Sequence, residues 1–145
     1  MKDSATIIIP SDPKYLSVIR SVTTTMAGLF GMHDSVIDDV KLAVDEACAN
    51  VIKHAYRGDT RQKIVVKFKL RKKGFEVIIE DNGIRAQPES IAGRSLDEVR
   101  PGGLGIHFIK RTFDVFHFDE KKKKGNRLRL IRYRGGGNED RNLGQ

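Results

Sequence analysis

Cysteine is nearly absent: Cys48 is the only one in 145 residues, so no internal disulfide can form. It falls midway along a helical pattern among core positions, where a small buried hydrophobe fits better than a reactive thiol. No apolar run approaches the ~20 residues of a membrane-spanning helix. The start, Met1-Lys2-Asp3-Ser4, lacks the organisation of a signal peptide. Together these absences lead to the expectation of a cytoplasmic protein with no membrane partner. Zinc-ligand spacing, a recognition-helix pattern, a stacking-aromatic motif for RNA and internal repeats are missing too. The net charge of +8 leaves nucleic acid, an anionic ligand or an acidic protein open as partners. The basic residues are scattered apart from Lys121 to Lys124, a run that reads as a solvated hairpin turn ending at Gly125. No direct nucleic-acid role is therefore expected.

What the chain does have is a long amphipathic segment from about Ser35 that closes on Asp45-Glu46-Ala47-Cys48-Ala49-Asn50-Val51-Ile52-Lys53-His54-Ala55-Tyr56. At about 100° per residue, Val36, Ile37, Val40, Ala43, Val44, Ala47, Val51 and Ala55 fall on one arc, the buried face of a helix. Glu46 and Asn50, spaced i, i+4, sit one above the other, with Asp39 and Lys53 near the same line at the border of that arc. Two readings stand: a solvated stripe of ordinary i, i+4 pairs, or polar groups held partly out of water. His54 reads as a packed, hydrogen-bonded histidine.

The remaining elements follow from pattern. Thr6 to Ile9 is a first strand ended by Pro10. Asp12 caps a helix with Pro13 at its first position, and Tyr15, Val18, Ile19, Val22, Met26 and Leu29 form its core face before a stop at Gly31. Ser35 with Asp38 reads as a capping box for the second helix. Ile64 to Leu70 alternates, and Lys72-Lys73-Gly74 turns it into an antiparallel partner with Phe75, Val77 and Ile79 on one face. Period two carries Asp81 onto that same face, where an acid needs donors. Residues 84–101 read as a long loop with a helical turn around Ser95 to Val99. Gly105 to Phe113 is a helix, with Ile106, Ile109 and Phe113 toward the core, and two more strands flank the lysine turn. One domain, residues 1–134, is expected, with a polar tail at 135–145 that composition reads as disordered. The element order suggests an α+β fold, a two-layer α/β sandwich with helices on one face of a mixed, mostly antiparallel sheet.

Three separated motifs suggest chemistry. Gly102-Gly103-Leu104-Gly105 feeds a helix N-terminus, a setting that suits phosphate, although no Gly-Lys-Ser/Thr or dinucleotide fingerprint accompanies it and a lid hinge reads equally well. Asn50 offers a hard oxygen for Mg²⁺. Glu46 could serve as a general base, Lys53 could steady phosphate charge, and Asp81 could accept from an exocyclic amine, favouring adenine. Gly83 leaves room for a flat ring.

The set Glu46, Asn50 and Lys53, then Asp81-x-Gly83, then Gly102-x-Leu104-Gly105 resembles the GHKL ATPase superfamily. Asp45-Glu46-Ala47, the ending His54-Ala55-Tyr56, Pro101 to Ile106 and the small size look most like bacterial anti-sigma-factor serine/threonine-protein kinases. The resemblance implies a Bergerat-type ATP-binding fold that uses ATP and Mg²⁺. It implies phosphorylation of a serine on a small anti-anti-sigma protein, sequestration of a sigma factor, and a homodimer. Carried onto this chain, it makes Glu46 the catalytic base and Asn50 the Mg²⁺ ligand. Asp81 and Gly83 would hold adenine. Lys53 and the segment Gly102, Gly103, Leu104, Gly105 and Ile106 would complete the ATP site, its glycines forming a lid at the phosphates. Two departures stand out. Arg85 replaces a second glycine of the adenine motif, where it could crowd the pocket or point outward to phosphate. Asn126 stands where relatives often carry threonine. A catalytically weak or inactive nucleotide- and partner-binding module is the alternative that Arg85 raises.

Overall fold

A computed structural model describes residues 2–86 and 103–135. Its backbone is a two-layer α+β sandwich. Five strands, β1 (Ser4–Pro10), β2 (Lys63–Leu70), β3 (Gly74–Asp81), β4 (Val115–Phe118) and β5 (Asn126–Tyr133), form one sheet in the order β1-β2-β3-β5-β4. All four pairings are antiparallel, where the element order had suggested a mixed sheet. The helices α1 (Leu16–Phe30), α2 (Asp34–Asn50) and α3 (Gly103–Thr112) cover one face. The expected helical turn at Ser95 to Val99 and the tail from residue 136 lie outside the described residues.

Alternation decides which strand residues face the helices. Ile64, Val66 and Phe68 of β2, Phe75, Val77 and Ile79 of β3, and Leu128 and Leu130 of β5 are all buried. Phe75 stacks at a tilt between Phe30 (5.8 Å) and Phe68 (6.2 Å), tying α1 to the sheet. The expected arc of α2 is buried from Val36 to Ala47, and Cys48 with it. Burial pushes the Cys48 thiol up to about 12, which keeps it protonated and inert.

Three local expectations are corrected. Asp12 does cap, accepting from the Lys14 N–H at 3.0 Å, but it caps a 3-10 turn (Pro13–Tyr15) that leads into α1. On α1 itself Val18 and Leu29 are exposed, while Thr23 and Ala27 are buried in their place. Thr23 tolerates this because its hydroxyl donates to the Ile19 carbonyl at 2.7 Å. Gly31 ends the helix as expected, at φ +98. The capping box at Ser35 does not form: the N-cap of α2 is His33, which makes no side-chain cap bond, and Asp34 supplies the acid of the first turn.

The outer face of the sheet is polar, yet Glu76 upon it is only 1% exposed. Arg71, at 3.1 Å, and Arg129 both grip its carboxylate, and their stems help cover it. Burial works to raise the Glu76 carboxyl, but hydrogen bonds and charge from Arg129 and Arg71 win and hold it below its ordinary value. A carboxylate depressed in the folded state adds stability above its unfolded pKa of about 4.3, lost as pH falls through the folded value. Glu76→Gln is therefore expected to unfold at lower urea than wild type at pH 7, with the gap closing toward pH 3. A gap that does not change with pH would contradict this.

Candidate nucleotide site

The site residues lie along the second half of α2 and the turn beyond it. Glu46 and Asn50 are one turn apart, roughly 6 Å at about 1.5 Å per residue, and Ala55 closes the turn beyond them. At the first end α2 packs on α3, and the Glu46 carboxylate sits directly against Gly105. A Cβ added there would come within 2.7 Å of Glu46 Cδ. Glycine is thus what lets the N-terminal turn of α3 close on this acid.

One turn further, Asn50 Oδ1 is buried and, among the described residues, has no hydrogen-bond partner. An oxygen left dry and unpaired costs about 1–3 kcal/mol. Such an oxygen is the hard, neutral donor that Mg²⁺ takes alongside water and phosphate oxygens. Among the described residues no group of three or more His, Cys, Asp or Glu could hold a metal unaided. A cation here would need a ligand's oxygens to complete its shell, and Asn50 fits that arrangement.

Beyond Asn50 the helix widens into a π turn (Val51–Ala55), closed by the Tyr56 N–H donating five residues back to the Val51 carbonyl at 2.9 Å. The Ala55 carbonyl then accepts from the Ile84 N–H at 2.8 Å, so the end of α2 is stitched to the loop after β3. Gly83 lies so close to this carbonyl that a Cβ would fall 2.6 Å from its carbon. Tyr56 makes a second stitch: its hydroxyl donates to the Lys63 carbonyl (2.6 Å) and accepts from the Asn82 N–H (2.9 Å).

Asp81 ends β3 on the helix-facing row, as period two predicts, and is 3% exposed. Its Oδ1 accepts from the Gly83 N–H at 2.8 Å, and the Asn126 amide donates to Oδ1 and Oδ2 at 3.1 and 3.2 Å. Burial pushes the carboxyl above its ordinary value, partly offset by these hydrogen bonds and by Lys122 nearby. Gly125, at φ +72, is wedged under the same loop, where a Cβ would lie 2.6 Å from Asn82 Cα. Arg85 neither crowds this floor nor stays free: its guanidinium donates to the backbone carbonyls of Lys122 and Glu120, the latter at 3.4 Å.

Of the expected residues, Glu46 and Gly105 come together at one end, Asp81 and Gly83 at the other, and Asn50 lies between them on α2. Lys53 lies on the π turn and is exposed; Ile106 is partly buried against the core. Gly103 opens α3, Leu104 follows it, and Gly102 lies outside the described residues. His54 is exposed, contrary to the packed histidine expected, because the π turn rotates it away from the arc. Asn126 was noted only as a departure, and its grip on Asp81 was missed. The signal was present: alternation back from Leu130 and Leu128 places Asn126 on the inner row opposite Asp81.

The chain belongs to the histidine kinase-like ATPase domain family, whose profile matches residues 9–132. It is similar to the serine-protein kinase RsbW of Listeria innocua, 31% identical over 130 residues and covering 83% of each chain. The serine-protein kinase RsbW of Bacillus subtilis is 30% identical over 125 residues, covering 79% of this chain and 78% of its own. Among solved structures, the RsbU and RsbW domains of a Mycobacterium tuberculosis protein match with a TM-score of 0.64 at 16% identity, over 91% of this chain and 32% of that one. A histidine kinase domain from an Erythrobacter litoralis blue-light-activated kinase matches with a TM-score of 0.51 at 16% identity, over 85% and 60%. These two establish a shared fold. No helix among the described residues is long and apolar enough to cross a membrane.

Proposed function

We propose that this chain is an ATP-dependent serine/threonine-protein kinase that acts as an anti-sigma factor. It phosphorylates a serine on a small anti-anti-sigma protein and sequesters a sigma factor, working as a cytoplasmic homodimer. The observation that carries the nucleotide half of this reading is the buried Asn50 Oδ1, without a hydrogen-bond partner among the described residues, one turn from Glu46 and on the helix whose end is stitched to the Asp81 loop. The partner half is supported by the kinship with the RsbW serine-protein kinases.

In this reading the nucleotide lies along α2. Asp81 accepts from the exocyclic amine of adenine, and Gly83 acts indirectly: the space expected for a flat ring is taken by the Ala55 backbone, so the missing side chain lets the Asp81 loop close on α2. Asn50 would hold Mg²⁺ through Oδ1. When bound, that ion offsets charge on the triphosphate oxygens. Gly103, Leu104 and Gly105 bring backbone N–H groups and the start of α3 toward the phosphates, Gly102 belongs to the same sequence motif, and Lys53 adds charge at the rim. Glu46 accepts the proton of the acceptor serine as its oxygen bonds to the γ-phosphorus. The bond from that phosphorus to the bridging oxygen breaks, and ADP leaves.

The inactive-module alternative rested on Arg85 crowding the pocket, and its guanidinium is instead engaged by the carbonyls of the β4–β5 turn. The test is transfer of labelled γ-phosphate from Mg-ATP to a serine of a small anti-anti-sigma protein. Stoichiometric labelling that depends on the serine is expected; ATP binding without transfer to that partner would overturn the kinase assignment.

A further expected result isolates the Glu46 contact. In Gly105→Ala the added methyl meets the far end of a flexible side chain, so the fold should keep its stability to within about 1 kcal/mol. The carboxylate, however, must move aside. Transfer should fall by at least about tenfold with the melting temperature nearly unchanged, measured by labelling and by thermal unfolding.

A further inference from the structure

Arg85 and Asn126, the two departures noted in the sequence, both engage the segment that follows Asp81. Asn126 spends its whole amide internally. Its Oδ1 accepts from the Ala86 N–H at 2.8 Å, and its Nδ2 donates to the Ile84 carbonyl at 2.9 Å as well as to the Asp81 carboxylate. An amide has two donor hydrogens, so both are engaged and none remains for a base. The Ala86 contact also fixes which way the amide faces: turned over, it would present a donor to the Ala86 N–H and an acceptor to three oxygens. On the opposite side, Arg85 reaches from the same segment to the carbonyls of Glu120 and Lys122. The segment after Asp81 is thereby tied at both ends to the turn that leads into β5.

We propose that Arg85 and Asn126 form a coupled brace that positions the purine-reading carboxylate of Asp81, taking the place of the glycine missing from position 85. The inference rests on the nucleotide reading given above and deepens it. Asn126 is a positioning residue that acts through Asp81. It anchors Oδ1, which the Gly83 N–H also holds, and among the described residues Oδ2 keeps one long bond at 3.2 Å and a lone pair to accept from an exocyclic amine. Threonine has one hydroxyl and cannot span Asp81, Ile84 and Ala86 together. The brace makes the β4–β5 turn a working part of the purine end of the site, through backbone carbonyls that would not be found by looking for base contacts.

The test is a double-substitution cycle read as ATP and GTP dissociation constants by calorimetry, well below each variant's melting temperature. Asn126→Ala is expected to weaken ATP by about tenfold and GTP little, so that the ATP preference falls by a similar factor. Should that variant not fold, Asn126→Thr carries the same expectation, since it preserves size while its single donor hydrogen cannot serve both the Ile84 carbonyl and the Asp81 carboxylate. Arg85→Gly alone should weaken ATP about threefold, and Arg85→Lys nearly as much, because an ammonium keeps the charge but cannot fork to two carbonyls. Once the Asn126 link is gone the Arg85 link positions nothing, so the double variant should bind no worse than Asn126→Ala. An unchanged ATP preference, losses that simply add, or full rescue by Arg85→Lys would overturn the brace. Failure of the wild-type protein to bind ATP at all would instead overturn the nucleotide reading, and the brace with it.

Discussion

Glu46→Gln is expected to lower phosphoryl transfer to the partner serine by about 10²- to 10⁴-fold while changing ATP affinity by no more than about threefold. The substitution keeps the size and polarity of a side chain already seated against Gly105, so the contact between α2 and α3 survives. What it removes is an acceptor for the serine proton. A residue needed only as the bond to phosphorus forms should affect turnover and not ground-state binding. Single-turnover labelling beside calorimetric ATP binding separates the two. An equal fall in both would make Glu46 a binding residue; an unchanged rate would remove it from the chemistry.

Gly125→Ala should have the largest effect on the fold. Two penalties coincide there: the backbone is at φ +72, and the new Cβ would fall 2.6 Å from Asn82 Cα with the Asp81 backbone as close. Neither neighbour is the tip of a flexible side chain. A left-handed residue with a side chain costs about 1–2 kcal/mol, and forcing a methyl into packed backbone costs about 1–3 more. A loss of about 2–5 kcal/mol in urea unfolding is expected, with a melting temperature lower by roughly 5–15 °C. Because the loop displaced is the one carrying Asp81, ATP affinity should fall together with stability. A variant as stable as wild type would mean that the turn and the Asp81 loop are not packed as described.

How much of this was legible in the sequence depended on whether a feature is periodic or paired across distance. The buried arc of α2 and the inward position of Asp81 came straight from periods of about 3.6 and 2. The inner row of β2 followed in the same way. The face of α1 was misread because hydrophobicity alone put Val18 and Leu29 inside, whereas Thr23 can enter by returning its hydroxyl to the Ile19 carbonyl. The π turn has no signature of its own in the pattern: it accompanies a carbonyl at Ala55 that accepts from Ile84, almost thirty residues on. That turn carried His54 outward. Glu76 reads as an ordinary exposed strand residue and is dry only because arginines from two other positions fold over it. Asn126 lay between these cases. Its row was readable from alternation, but its link to Asp81 needed the β3–β5 register.

In the proposed site Asn50 Oδ1 is held open for a cation that comes with the nucleotide. ATP affinity measured by calorimetry with Mg²⁺ and with chelator, on wild type and Asn50→Ala, tests this most directly. Wild type should bind ATP at least about tenfold more tightly with Mg²⁺, and Asn50→Ala should match it in chelator while gaining almost nothing from the metal. If Asn50→Ala keeps the full gain from Mg²⁺, the cation is held elsewhere and the arrangement along α2 proposed here is wrong.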